Sequence, residues 1–142
     1  ETTKRMIASP DYFKKFGRPQ KIDDLNDHKL LHYSNQAAGN VWKITAPSGE
    51  KRQVRTAGSL TVNDGQSLLN AAVGGLGIAY LPSFLYADYV RNGLLEDAIP
   101  DLPMETQGIY AVYPLGRFTQ PKVRAFIDFL VDKFREKGPD EW

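Results

Sequence analysis

His28 and His32 stand four residues apart, with Asp23, Asp24 and Asp27 close by. On a helix that spacing would put two imidazoles on one face, as in a zinc pair. The intervening Lys29-Leu30-Leu31 reads as strand entry instead, and no third ligand stands at motif spacing, so no metal site is assigned. Nucleophilic catalysis finds no support either. There is no cysteine, and no serine sits in a G-x-S-x-G elbow that would pair with a histidine. Asp64, Asp88, Asp97 and Asp101 have no spacing that demands an acid/base pair. Gly74, Gly75 and Gly77 invite a nucleotide-binding reading, but a phosphate loop follows a strand and opens a helix, whereas these glycines close a helix and open a strand. No catalytic residue and no cofactor are assigned. What remains is binding: helices opening at Asp64-Gly65 and at Ser83 present backbone N–H groups to a small anion. Asp64 tempers this, since its side chain serves as an N-cap and its charge opposes an anionic ligand.

These residues belong to the stretch that organises the chain, residues 60–84, LTVNDGQSLLNAAVGGLGIAYLPSF. Residues 60–62 form a short apolar strand, Asn63 and Asp64 cap a helix start, and Leu68, Leu69, Ala72 and Val73 recur at helical spacing. The glycines end that helix and let the next strand approach closely. Residues 78–81 are uninterruptedly apolar and bounded by Pro82, as expected of a parallel strand covered on both faces. A β-α-β unit results. In open α/β sheets, ligands bind at the carboxyl ends of the strands, which makes residues 63–65 and 82–83 candidate crevice walls.

The remaining elements follow from local signals. Residues 4–8 predict a strand; Ser9 caps a short helix with Pro10 at its first position, Tyr12, Phe13 and Phe16 buried, and Gly17 as its stop. Residues 23–27 predict a helical turn, 30–33 a strand and 34–40 a loop. Residues 41–45 and 52–57, divided by Pro47, Ser48 and Gly49, predict a hairpin with Trp42 and Ile44 on one buried face. Ser83 is expected to cap a helix burying Leu85, Tyr86, Tyr89 and Val90 and stopped by Gly93. Leu94 and Leu95 suggest a brief strand, 97–105 a loop, and 108–113 an apolar strand ended by Pro114. Pro121 opens a last helix whose stripe runs through Val123, Phe126, Ile127, Leu130, Val131 and Phe134, with Lys133, Arg135 and Lys137 near its end and Gly138-Pro139 as its close.

A chain of 142 residues supports one domain with a real core. Its composition, 42% apolar and 25% charged, is that of an ordinary globular protein. A formal net charge of +1 supplies no basic field for a nucleic-acid backbone. No stretch approaches the roughly 20 apolar residues of a membrane span, so no membrane partner is expected. The opening Glu1-Thr2-Thr3-Lys4 has neither an initiator methionine nor a signal-peptide pattern, and the chain is expected to be a piece of a longer protein.

In order, IASPDYFKKFGRP, DDLNDHKLLHYS, a lone W-K-I strand, VNDGQSLLNAAVGGLGIAYLP, RNGLLEDAIPDLP, IYAVYP and KVRAFIDFLVDKF together resemble the effector-binding domain of LysR-type transcriptional regulators over nearly the whole chain. The resemblance implies an α/β, type 2 periplasmic-binding-protein-like fold: two subdomains joined by crossing strands, with an effector between them. It implies a bacterial, cytoplasmic, non-enzymatic regulator that forms homo-oligomers and contacts DNA only through an N-terminal winged helix-turn-helix with no counterpart here. Residues 10–107 would be the second subdomain. Residues 1–9 and 108–142 would be crossing strands and the returning helix of an incomplete first one. Its apolar stripe is then expected to cause self-association or weak stability.

Carried over by position, the effector-binding residues are Val62, Asn63 and Asp64, with Leu81, Pro82 and Ser83, and Ser9 at the hinge crossing. The effector itself is not readable; helix N-termini favour a small organic acid, and Asp64 opposes one. A periplasmic solute-binding protein would share the fold and differ by export. An enzyme of a binding-protein-like fold, such as a prephenate dehydratase or a porphobilinogen deaminase, would need catalytic groups on these loops.

Overall fold

A computed structural model describes residues 1–35, 39–56, 59–113 and 120–136. Strand β1 (Thr2–Ala8) is the spine. On one side it pairs antiparallel with β6 (Ala79–Pro82), Lys4 opposite Pro82 and Ile7 opposite Ala79. On the other side β7 (Glu96–Asp97) and β8 (Glu105–Gln107) pair with its two ends. Strand β2 (Leu31–Tyr33) runs parallel to β5 (Leu60–Val62) and meets the entry to β6 through a parallel bridge between Leu30 and Ile78. The spatial order is therefore β5-β2-β6-β1, with β7 and β8 at the far edge.

Alternation along the strands builds one core on each face of this sheet. Met6, Ala8, Ile78 and Tyr80 point to one face, where they meet Tyr12 and Phe13 of α1 (Pro10–Phe16), Ile22 and Leu25 of a 3-10 helix (Ile22–Asp27), and Trp42, Ile44 and Val54 of the hairpin β3 (Val41–Thr45) and β4 (Lys51–Arg55). Ile7, Leu31, Ala79 and Leu81 point to the other, against Leu68, Leu69 and Ala72 of α2 (Gly65–Val73) and Tyr86 of α3 (Ser83–Arg91). Full burial of each large aliphatic side chain contributes about 1.5–3 kcal/mol. The apolar run of β6 is thus explained by helices on one face and a hairpin on the other.

The turn that joins α2 to β6 uses its glycines as expected. Gly75 adopts a φ of +73°, which L side chains reach only with strain. Gly77 is needed for space: a Cβ there would lie 2.3 Å from the carbonyl oxygen of Lys29. That approach lets Ile78 donate to the Lys29 carbonyl at 2.8 Å and Leu31 donate to the Ile78 carbonyl at 2.9 Å, stitching β2 to β6.

Several expectations are corrected. The β-α-β unit itself holds, with β2 inserted between its two strands and parallel to both, while on its other side β6 meets β1 antiparallel. Phe16 is 43% exposed rather than buried, and Val90 is likewise exposed. The N-cap of α3 is Pro82; Ser83 is the first helical residue, and its hydroxyl meets that of Thr2 at 2.8 Å. The short strand falls on Glu96–Asp97 and not on Leu94 and Leu95, because Glu96 and Asp97 are the residues that lie opposite Ala8 and Ile7. Residues 108–113 form no strand. The strand on this side of β1 falls instead on Glu105–Gln107, opposite Thr2 to Lys4. By contrast, the last helix, α4 (Pro121–Glu136), forms over the expected stretch and, as expected, leaves its apolar stripe unburied. Phe126 is 61% exposed and Val131 is exposed, while Val123, Ile127, Leu130 and Phe134 are half-buried. Ala57, Pro114, Lys137, Gly138 and Pro139, and the middle of the loop at 34–40, lie outside the described residues.

Candidate functional site

The carboxyl ends of β2 and β6 and the starts of α2 and α3 surround a cleft of about 490 Å³. Tyr33 closes β2, Asp64, Gly65 and Gln66 begin α2, Leu81 and Pro82 close β6, and Phe84 and Leu85 begin α3. Lys4 of β1, Tyr80 of β6 and Gln107 of the edge strand β8 complete the wall. Its position is the one expected from the strand directions: the strands end there and the helices start there.

Asp64, Leu81 and Pro82 of the sequence-derived set line this cleft. The Asp64 carboxylate accepts from the Ser67 hydroxyl and the Ser67 N–H, both at 2.7 Å. Those bonds, joined by the N–H of Gln66, hold its carboxyl below the ordinary aspartate range, so it presents a charged cap to the cleft. Asn63 flanks the cap, and its carbonyl accepts from the Asn35 side chain at 3.3 Å. Val62 is half-buried against the α2-side core. The remaining two residues face elsewhere. Ser9 is buried and its hydroxyl accepts from the Tyr12 N–H at 3.2 Å, the N-cap of α1. Ser83 is buried and lines a shallower depression of about 220 Å³ with Arg5, Tyr86 and Asp97.

Sequence reasoning did not single out Lys4, Tyr33, Gln66, Tyr80, Phe84, Leu85 or Gln107. Lys4 is half-buried, with its Nζ 4.1 Å from the centroid of the Tyr80 ring. The Tyr80 hydroxyl donates to the Glu105 carboxylate. Burial, reinforced by that carboxylate, pushes the Tyr80 phenol well above its ordinary value, so it stays a neutral donor. One signal was available: Lys4 and Arg5 are charged residues inside a strand whose second half is apolar, a few positions before the Ser9 cap.

The two histidines do not converge. His28 Nδ1 faces the Tyr12 hydroxyl at 3.1 Å, and His32 Nδ1 meets the buried Thr56 hydroxyl at 2.9 Å. Among the described residues no group of three or more His, Cys, Asp or Glu side chains is placed to hold a metal ion, and no helix is long and apolar enough to cross a membrane.

Known proteins place this architecture. A family model described as the LysR substrate binding domain matches residues 4–135. The chain belongs to the LysR substrate-binding-domain family. Its fold is therefore type 2 periplasmic-binding-protein-like, in agreement with solved structures. The CrgA regulatory domain of Neisseria meningitidis, a LysR-type transcriptional regulator, superposes with a TM-score of 0.72 at 28% identity, over 93% of this chain and 64% of that one. The full-length Vibrio cholerae virulence activator AphB gives a TM-score of 0.80 at 25% identity, over 93% of this chain and 45% of that one. Among sequence relatives, the HTH-type transcriptional activator AaeR of Escherichia coli (strain K12) is 30% identical over 133 residues, covering 94% of this chain and 43% of that protein. The chain thus spans less than half the length of the curated relatives it matches.

Proposed function

We propose that this chain is the effector-sensing part of a LysR-type transcriptional regulator, and that the effector is a small molecule held in the cleft between β2, β6, α2 and α3. The family match over residues 4–135 carries the regulator reading, and the cleft supplies a place for the ligand. Residues 10–107, built around β1 as their central strand, act as one subdomain. The wall facing them across the cleft, and a winged helix-turn-helix that contacts DNA, are supplied by other parts of the protein. Val62, Asn63, Asp64, Leu81 and Pro82 contribute the near wall, with Ser9 and Ser83 supporting it from behind through α1 and α3. The protein works in the bacterial cytoplasm as a homo-oligomer and without catalysis. Switching follows from a difference in effector affinity between two arrangements of the subdomains, which biases the attached DNA-binding domains.

The test uses the intact regulator with a transcriptional reporter under its own promoter. Asn63→Trp and Gln66→Trp place bulk at the mouth of the cleft on exposed positions. Both variants should keep DNA binding and lose the effector-dependent change in transcription. Full retention of that change in both would remove the cleft from the account.

A further inference from the structure

Lys4 is the one basic side chain among those lining the cleft, and its surroundings differ from those of a solvated surface lysine. In β1 it stands between Pro82 on one neighbouring strand and Glu105 on the other. Its Nζ lies 4.1 Å from the centroid of the Tyr80 ring, which contributes a cation–π attraction and removes water from one side. The carboxylate of Glu105 is engaged by the Tyr80 hydroxyl. Among the described residues Lys4 makes no ion pair. Burial lowers its pKa from the ordinary lysine value, and the Glu105 charge offsets this in part. An ammonium so placed has lost hydration that an incoming anion would replace.

We propose that Lys4 is the anion-recognising residue of the cleft, and that the ligand is a small molecule carrying one carboxylate on an apolar body. The carboxylate sits on Lys4 Nζ and the body lies against Leu81, Phe84 and Leu85. This rests on the cleft being the effector site. The charged Asp64 on the α2 side explains the polarity of binding: it keeps the carboxylate away from the α2 N-terminus and leaves the Lys4 side as the anion subsite. The helix N-terminus, the obvious anion site from the sequence, is thus closed by its own cap.

The experiment is protein-observed NMR on the intact regulator with two matched pairs, phenylacetate with phenylacetamide and hexanoate with hexanamide. In each pair only the charge of the head group changes. Both acids should shift the amide signals of Gly65, Gln66, Phe84 and Leu85, and each neutral amide should bind about tenfold more weakly, the scale of one charge-assisted hydrogen bond. Lys4→Met should erase the difference within each pair, and Lys4→Arg should preserve it. Should Lys4→Met lose its dispersed spectrum, the acid-against-amide comparison in the wild type and in Lys4→Arg decides. Equal binding of acid and amide in the cleft, or an acid preference that survives in a folded Lys4→Met, overturns the role of Lys4 while leaving the cleft as a ligand site. If neither pair moves any of those four signals, the inference falls together with the cleft reading.

Discussion

Replacing Gly77 by alanine tests the physical basis of the cleft most sharply, because one methyl group is pitted against the stitch between β2 and β6. The added Cβ would lie 2.3 Å from the Lys29 carbonyl oxygen and 3.0 Å from Leu31 Cδ2. The first contact is with backbone, so no rotamer change relieves it. The strands must separate by about an ångström, which weakens the bonds between Ile78 N–H and Lys29 and between Leu31 N–H and Ile78. Overpacking of this kind costs about 1–3 kcal/mol, and weakening two buried hydrogen bonds adds about 1 kcal/mol. We expect Gly77→Ala to lose about 2–4 kcal/mol in urea unfolding, with the midpoint shifted and the slope unchanged. The corresponding fall in Tm is about 8–15 °C for a domain of this size. Gly74→Ala is the control: its Cβ would meet only the Asn70 carbonyl at 3.3 Å and the Ala71 carbonyl at 3.6 Å, and its φ is −70°. A loss at Gly77 no greater than about 0.5 kcal/mol, or one matched by Gly74→Ala, would refute the claim that close strand approach dictates glycine there.

Ser9→Ala removes the cap of α1 and should cost about 1 kcal/mol in the same unfolding assay; a value near zero would mean the cap is dispensable. His28 is held below its ordinary pKa by burial, with Asp27 and Asp24 opposing. Because the folded protein binds that proton less readily than the unfolded chain, stability should fall as pH drops below about 6.5, and His28→Gln should flatten that fall. An unchanged pH profile in the variant would count against it. Asp64 is held low by its bonds to Ser67, so its contribution is present above the unfolded carboxylate pKa and is lost as pH falls through the folded one; Asp64→Asn should reduce acid sensitivity below about pH 4. Finally, Phe126 and Phe129 of α4 are 61% and 55% exposed. This chain alone should self-associate with concentration in light scattering, and Phe126→Glu with Phe129→Glu should suppress it. A monodisperse wild-type monomer would contradict that expectation.

Local chemistry was legible wherever one residue type has one mechanical use. Ser9-Pro10 and Asp64 as caps, and Gly75 and Gly77 as a helix-to-strand turn, follow from hydrogen-bond capacity and steric freedom that need no knowledge of distant contacts. Strands were legible only as far as their partners are. Residues 108–113 have the apolar composition of a strand, yet the pairing with β1 falls on the polar Glu105–Gln107. Glu96 and Asp97 have poor strand composition, yet lie along Ile7 and Ala8. The insertion of β2 between β5 and β6 is likewise a pairing decision that periodicity does not encode. At the cleft, residues next to caps and strand ends were found because those ends are marked by Asp64 and Pro82. Lys4 and Tyr80 were missed because their role depends on two strands distant in sequence meeting side by side. Ser9 and Ser83 were included on position alone, and their hydroxyls turn inward to N–H and hydroxyl partners.

The most direct measurement is to read the coding DNA upstream of the codon for Glu1. The account predicts an open frame that continues upstream and encodes a helix-turn-helix followed by the rest of the effector domain. A secretion signal followed by the other half of a binding domain would contradict it and make the cleft that of an exported solute receptor.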